Sequence, residues 1–196
     1  MGKAPFFSVL TVTLNRAADL KRAIGSLQAQ EERDFEHIVV DGGSSDATLA
    51  LLKDPATAVS AWISEPDTGI ADALNKAIGL ARGEWIVLLH AGDELAPGAL
   101  RHWKQMALQA GEAEILSCAV RYVDEDGKPG MEYRPVPDEM PRRMAMPHPG
   151  MAVKRSLYGR IGMFRTDLRV AMDYEFTLRA LHEGAKFHCA LSLIHI

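Results

Sequence analysis

Four polar clusters and one acidic helix start hold the residues able to do chemistry in this chain of 196 residues. The clusters are Thr11-Val12-Thr13-Leu14-Asn15-Arg16, Asp41-Gly42-Gly43-Ser44-Ser45-Asp46-Ala47-Thr48, Ser64-Glu65-Pro66-Asp67-Thr68-Gly69 and His90-Ala91-Gly92-Asp93. Gly, Ser and Asp in such places form turns and cap helices. The carboxylates exceed what capping needs. Asp41 ends an apolar run and precedes two glycines. A carboxylate there can accept from an N–H of a nucleobase while the glycines admit the ligand. Asp93 follows the apolar run Trp85 to Leu89. It is placed to hold magnesium or manganese, hard cations that take few protein carboxylates and complete their shell with phosphate oxygens and water. Asp173 and Glu175 open a helical pattern. The helix dipole accounts for acids in a first turn; a carboxylate general base beside a cleft is the functional alternative.

These clusters need a scaffold, and strand and helix patterns alternate along the chain to supply one. Apolar, β-rich runs cover Phe6 to Leu14, Phe35 to Val40, Val59 to Ser64, Trp85 to Leu89 and Ile115 to Val123. Between them, helical spacing covers Ala17 to Gln30, Asp46 to Lys53, Gly69 to Arg82 and Pro97 to Ala110, with a last helix over Asp173 to Glu183. Asp46 is expected to cap its helix and Gly83 to close the third helix as a left-handed C-terminal residue. This alternation predicts an α/β fold built of βαβ units around a mostly parallel sheet, in which ligands bind beyond the C-terminal strand ends. All four polar clusters fall at such ends. Asp126-Gly127 predicts a turn returning the fifth strand as a hairpin. From Asp124 to Pro149 the chain holds most of its prolines and little periodicity, and reads as a long loop with one short strand that closes over the site.

Composition narrows the function classes. A net charge of −4 and a pI near 6 argue against a nucleic-acid binder. No run of about 20 apolar residues predicts a membrane span, and no signal peptide is legible. The two cysteines, Cys118 and Cys189, stand outside any C-x-x-C pair and read as reduced thiols of a cytoplasmic protein. No Walker or G-x-G-x-x-G loop is present. The organisation expected is one domain over residues 1–190. Leu191 to Ile196 match the translation of a common sequencing adapter and read as a non-native tail, against a short natural strand.

Taken in order, these segments resemble the family 2 inverting glycosyltransferases with the GT-A fold, closest to the bacterial polysaccharide-synthesis branch. The resemblance runs through Ser8 to Asn15, Ile38 to Asp46, Ser64 to Lys76, Gly83 to Asp93 and Ala171 to Arg179. It implies a nucleotide-diphospho-sugar donor with UDP as the default, and a glycan or lipid-linked hydroxyl acceptor. The setting it implies is the cytoplasm, with peripheral association at the inner membrane face. By the same resemblance Thr11, Asn15, Asp41 and Asp67 hold the base and ribose, with Asn75 and Lys76 in reach of the donor. Asp93 is the surviving carboxylate of the metal motif, with His90 either a ligand or a strand cap. Asp173 is the catalytic base, and His148 in His148-Pro149-Gly150 faces the acceptor. Two positions depart from the family pattern: the metal motif reads His90-Ala91-Gly92-Asp93, and the acidic pair reads Met172-Asp173. The family's C-terminal elements lie beyond the matched segments. Two rivals remain: a non-catalytic nucleotide-sugar-binding domain, and a sugar nucleotidyltransferase, for which Ser8 to Asn15 lacks the Gly-rich basic loop.

Overall fold

The computed structural model describes residues 3–124 and 128–195, the last five of these by backbone alone. Its centre is an eight-stranded sheet. Strands β1 (Phe7–Thr13), β2 (Phe35–Asp41), β3 (Ala61–Ser64) and β4 (Trp85–Leu88) are mutually parallel, in the spatial order β3-β2-β1-β4. Beyond β4 lies the antiparallel β7 (Met151–Lys154), then β5 (Ile115–Val123). The far half of β5 pairs with the antiparallel β6 (Pro129–Tyr133), and β8 (Phe187–His195) runs parallel along its other edge.

Strands β1, β2 and β4 form because their apolar runs are buried on both faces, as crossover helices require, while β3 at the sheet edge is partly exposed. Phe7 and Val9 of β1 pack with Leu27 of α1 (Ala17–Gln28) and Trp103 of α4 (Ala99–Gln109). Leu10 and Val12 point the other way, against Leu74 of α3 (Ile70–Leu80) and Phe176 of α6 (Met172–His182). The remaining helices are α2 (Thr48–Lys53) and α5 (Arg155–Ile161). Asp46 serves two helix starts: its carboxylate accepts from the N–H of Thr48 at 3.0 Å and of Ala17 at 3.0 Å.

The structure departs from the sequence reading in three places. Gly83 does not close α3, which ends at Leu80 with an extended cap at Ala81. Glycine is needed there because a Cβ would stand 2.5 Å from the Ser8 nitrogen. That close approach lets the Gly83 N–H reach Ser8 Oγ at 2.8 Å, next to buried Glu36, whose carboxylate also accepts from the backbone N–H of exposed Arg82. The stretch after Asp124 is also no free lid. Met140, Ala145 and Met146 are fully buried in the main core, and Met140 O accepts from Tyr174 Oη of α6 at 2.7 Å. Finally β7 and α5 were not expected, and β8 begins at Phe187, ahead of the Leu191 to Ile196 stretch where a short strand was only the alternative reading. The Asp126-Gly127 turn lies outside the described residues, while the β5–β6 hairpin it belongs to is present. Neither Cys118 nor Cys189 is in a disulfide; Cys118 is buried and Cys189 half-buried.

Candidate active site

The C-terminal ends of β1, β2, β3 and β4 meet along one edge of the sheet, and a cleft of two cavities runs there. The smaller, about 310 Å³, is lined by Thr13, Leu14, Arg16, Asp67, Ala73 and Ala91 among others. The larger, about 710 Å³, is lined by Asp72, Tyr122, His148, Leu168, Arg169 and Asp173 among others. Gly69, Ile70 and His90 belong to both walls.

On the smaller side, Asp67 is the expected residue that stands on the cavity wall. Its Oδ1 accepts from Gly69 N at 2.9 Å, and its other oxygen lies where a Cβ on Gly42 would come within 2.6 Å. Gly42 is therefore the space into which Asp67 folds. Asp41 is fully buried and its carboxylate faces inward: Oδ2 accepts from Ser44 N at 3.0 Å and from Ser64 Oγ at 2.6 Å, and Oδ1 accepts from Ser44 Oγ. Asp41 thus fastens the ends of β2 and β3 rather than facing open space. Asn15, at φ +53°, accepts on Oδ1 from Ser45 N at 2.8 Å, locking the β1 end to the Ser44–Ser45 turn. Thr11 is fully buried beneath the cleft, 2.9 Å from His37 Nε2, and lines neither cavity. Burial holds His37 well below its usual range, at about 4.

Asn75 and Lys76 also support the walls from behind. Asn75 donates to Phe164 O at 2.8 Å and accepts from Phe164 N at 3.0 Å, and Phe164 packs edge-on to the His148 ring at 5.6 Å. Lys76 Nζ ties Pro66 O, Glu65 and Asp72, bracing the loop that carries Asp67.

On the larger side, Asp173 sits in the first turn of α6, half-buried, with Oδ1 accepting from Tyr174 N at 2.8 Å. Ala171 just before it adopts φ +59°, a costly conformation for alanine that turns the chain into α6 at the cavity wall. His148 is 7% exposed. Burial lowers its pKa to about 4; the charge of Asp173 pulls the other way and His90 adds to the lowering. Gly150 makes the His148 turn, since a Cβ there would meet Cys118 O at 2.5 Å.

His90 faces both cavities, and Asp93 closes the same turn through its N–H to His90 O at 2.9 Å, with Gly92 at φ +113°. Asp93 is half-buried and lines neither cavity. Among the described residues no group of three or more His, Cys, Asp or Glu could hold a metal ion by itself. The donor set therefore fits only a cation that completes its shell with ligand phosphates and water.

Two wall residues belong to the first polar cluster but had no role assigned from sequence. Thr13 is 6% exposed, lies on the smaller cavity, and its hydroxyl is buried without a hydrogen-bond partner. Strand alternation puts it on the same face as Thr11, and only its place at the strand end distinguishes the two. Arg16, the first residue after that end, is the second.

A mostly parallel sheet flanked by helices, with this cleft at its C-terminal edge, is a GT-A nucleotide-sugar transferase scaffold. Residues 8–173 match Glycosyl transferase family 2, and the chain belongs to that family. It is 34% identical over 201 residues to an uncharacterized glycosyltransferase of Mycobacterium tuberculosis, covering 97% of this chain and 75% of the relative. It is 28% identical to a PGL/p-HBAD biosynthesis glycosyltransferase of Mycobacterium bovis, covering 93% of this chain and 72% of that one. Among solved structures it is similar to TarS 1-349 of S. aureus, with TM-score 0.77, 20% identity, and 96% and 59% of the two chains covered. It is also similar to the mannosyltransferase PcManGT of Pyrobaculum calidifontis in complex with GDP-Man and Mn2+, with TM-score 0.75, 22% identity, and 98% and 56% covered. The chain thus spans about three quarters of the length of these curated relatives and under two thirds of these solved chains. Among the described residues no helix is long and apolar enough to cross a membrane.

Proposed function

We propose that this chain transfers a sugar from a nucleotide-diphosphate donor, with UDP the carrier, to the hydroxyl of a glycan or lipid-linked acceptor, with inversion. The setting proposed is the cytoplasm, at the inner membrane face. The observation that carries the reading is that Asp173, His148 and His90 line one cavity whose wall is shared with a second cavity at the ends of β1 and β3. Two substrates meeting at His90 have a base on the acceptor side and a polar strand edge on the donor side. A solved TarS complex with UDP-GlcNAc, at 19% identity, adds a donor of this class.

In this reading Asp67, Thr13 and Leu14 hold the base and ribose in the smaller cavity, on a floor fixed by Asp41 and Asn15. The acceptor enters the larger cavity, where Asp173 takes its hydroxyl proton; a positioned base contributes about 10²–10⁴ in rate. His148, neutral at pH 7 because it is buried, orients that hydroxyl as an uncharged hydrogen-bonding group. The hydroxyl oxygen attacks the anomeric carbon in line and the nucleoside diphosphate leaves from the opposite face. Asp93 and His90 are the residues that would hold a magnesium or manganese ion, which when bound neutralises charge on the leaving diphosphate.

The test is isothermal calorimetry with UDP and GDP, with and without Mn2+, followed by a nucleotide-release assay across UDP-sugars. UDP is expected to bind with metal-enhanced affinity, and the enhancement to vanish in Asp93→Ala. No nucleotide binding at all would contradict the reading. Binding without release in any donor and acceptor combination would favour a binding domain.

A further inference from the structure

We infer that Arg16 is the cation that receives the donor's diphosphate. The inference rests on the donor reading above and adds a residue to it. The acidic set at the β4 end is sparse, so leaving-group charge needs another partner. Among the residues lining the smaller cavity, Arg16 carries the one guanidinium or ammonium group. Lys76, the nearby alternative, is held on Glu65 and Asp72 behind the wall.

The geometry aims Arg16 across the cleft. Its Nη1 donates to Ala91 O at 3.4 Å, and a Cβ on Gly92 would lie 3.8 Å from the same nitrogen. The guanidinium therefore spans from the β1 end to the His90–Asp93 turn, the place where a diphosphate must pass between the two cavities. Its Nε meets Asp19 at 3.1 Å, but Asp19 also takes Arg22 at 2.8 Å, so the neutralisation is shared. The rest of the five-donor fork is open to a ligand, and its planar spacing matches phosphate oxygens. The α1 N-terminus beside it is not the anion site, because Asp46 already accepts from Ala17 N. Arg16 thus shares with the metal site the work of stabilising the leaving group, and gives the cleft phosphate affinity without metal.

The side chain is 59% exposed, so its removal leaves the fold intact. Calorimetry of UDP and of uridine, in EDTA and in Mn2+, reads the proposal directly. The wild-type chain is expected to prefer UDP over uridine in EDTA. Arg16→Ala should lose about tenfold in UDP affinity there with uridine unchanged, and Arg16→Lys should recover part of it. UDP binding by Arg16→Ala equal to wild type would overturn the inference, as would equal losses for UDP and uridine, which mark a structural role. Failure of the wild-type chain to bind either molecule would instead overturn the donor reading itself.

Discussion

Asp41 separates what a residue type suggests from what its neighbours make of it. Its place after an apolar strand was legible, as was its position on the ligand edge. The sequence could not show that Ser44 and Ser64 saturate its carboxylate from inside the protein. In the proposed function the residue acts on the donor through the shape of the floor. Asp41→Ala should cost about 1–3 kcal/mol of stability, as removal of a buried acceptor from its donors does, and should weaken UDP binding in step. Chemical denaturation beside calorimetry checks this; lost UDP binding at unchanged stability would mean direct contact instead. Thr11 and Thr13 repeat the lesson. Both hydroxyls follow the same alternation, but His37 takes Thr11, while Thr13 reaches the cavity. Depth along a strand is set by the helices that cover it, which no single residue announces.

Elements were legible where one periodicity ran long enough. The parallel strands β1, β2 and β4 show as continuous apolar runs because both faces are covered, and α3 shows by its buried stripe of Ala73, Leu74, Ala77 and Ile78. The antiparallel β7 has four residues, and α5 has seven. Neither is long enough to display a period, so pairing with β4 and β5 decides β7, and packing against β7 and α6 decides α5. The segment before β7 was misread for a related reason: its core residues Met140 and Met146 are isolated among prolines rather than spaced along a face. It packs as a fixed wall and ends in the His148 turn, whose geometry depends on Gly150. Gly150→Ala must push Cβ against Cys118 O and Val120 Cγ2, contacts of 2.5 and 2.9 Å. The expected cost is about 1–3 kcal/mol, as for overpacking elsewhere, with acceptor turnover reduced more than UDP binding. Thermal unfolding and paired kinetics check it; wild-type stability would contradict the packing described.

At the scale of the whole molecule, the sheet does two jobs with its edge: parallel strand ends shape the smaller cavity, proposed to take the donor, and returning segments from its far side bring His148 and Asp173 to meet it. Burying histidines in that construction links the fold to pH. His37 and His148 are both depressed from 6.5 to about 4 by burial. Between those values the unfolded chain binds protons that the folded chain refuses, so stability is full above about pH 6.5 and falls as pH drops toward 4. The slope is about 1.4 kcal/mol per pH unit for each histidine. Urea unfolding at pH 7, 6 and 5 measures it, and constant stability across that window would contradict the burial assigned to both rings. The claim on which the account turns is that Asp173 is the base facing an acceptor beside a separately held donor. The most direct measurement is Asp173→Asn, assayed for sugar transfer and for UDP affinity in the same preparation. Transfer is predicted to fall by about 10²–10⁴ with UDP affinity unchanged; transfer at the wild-type rate would contradict the account.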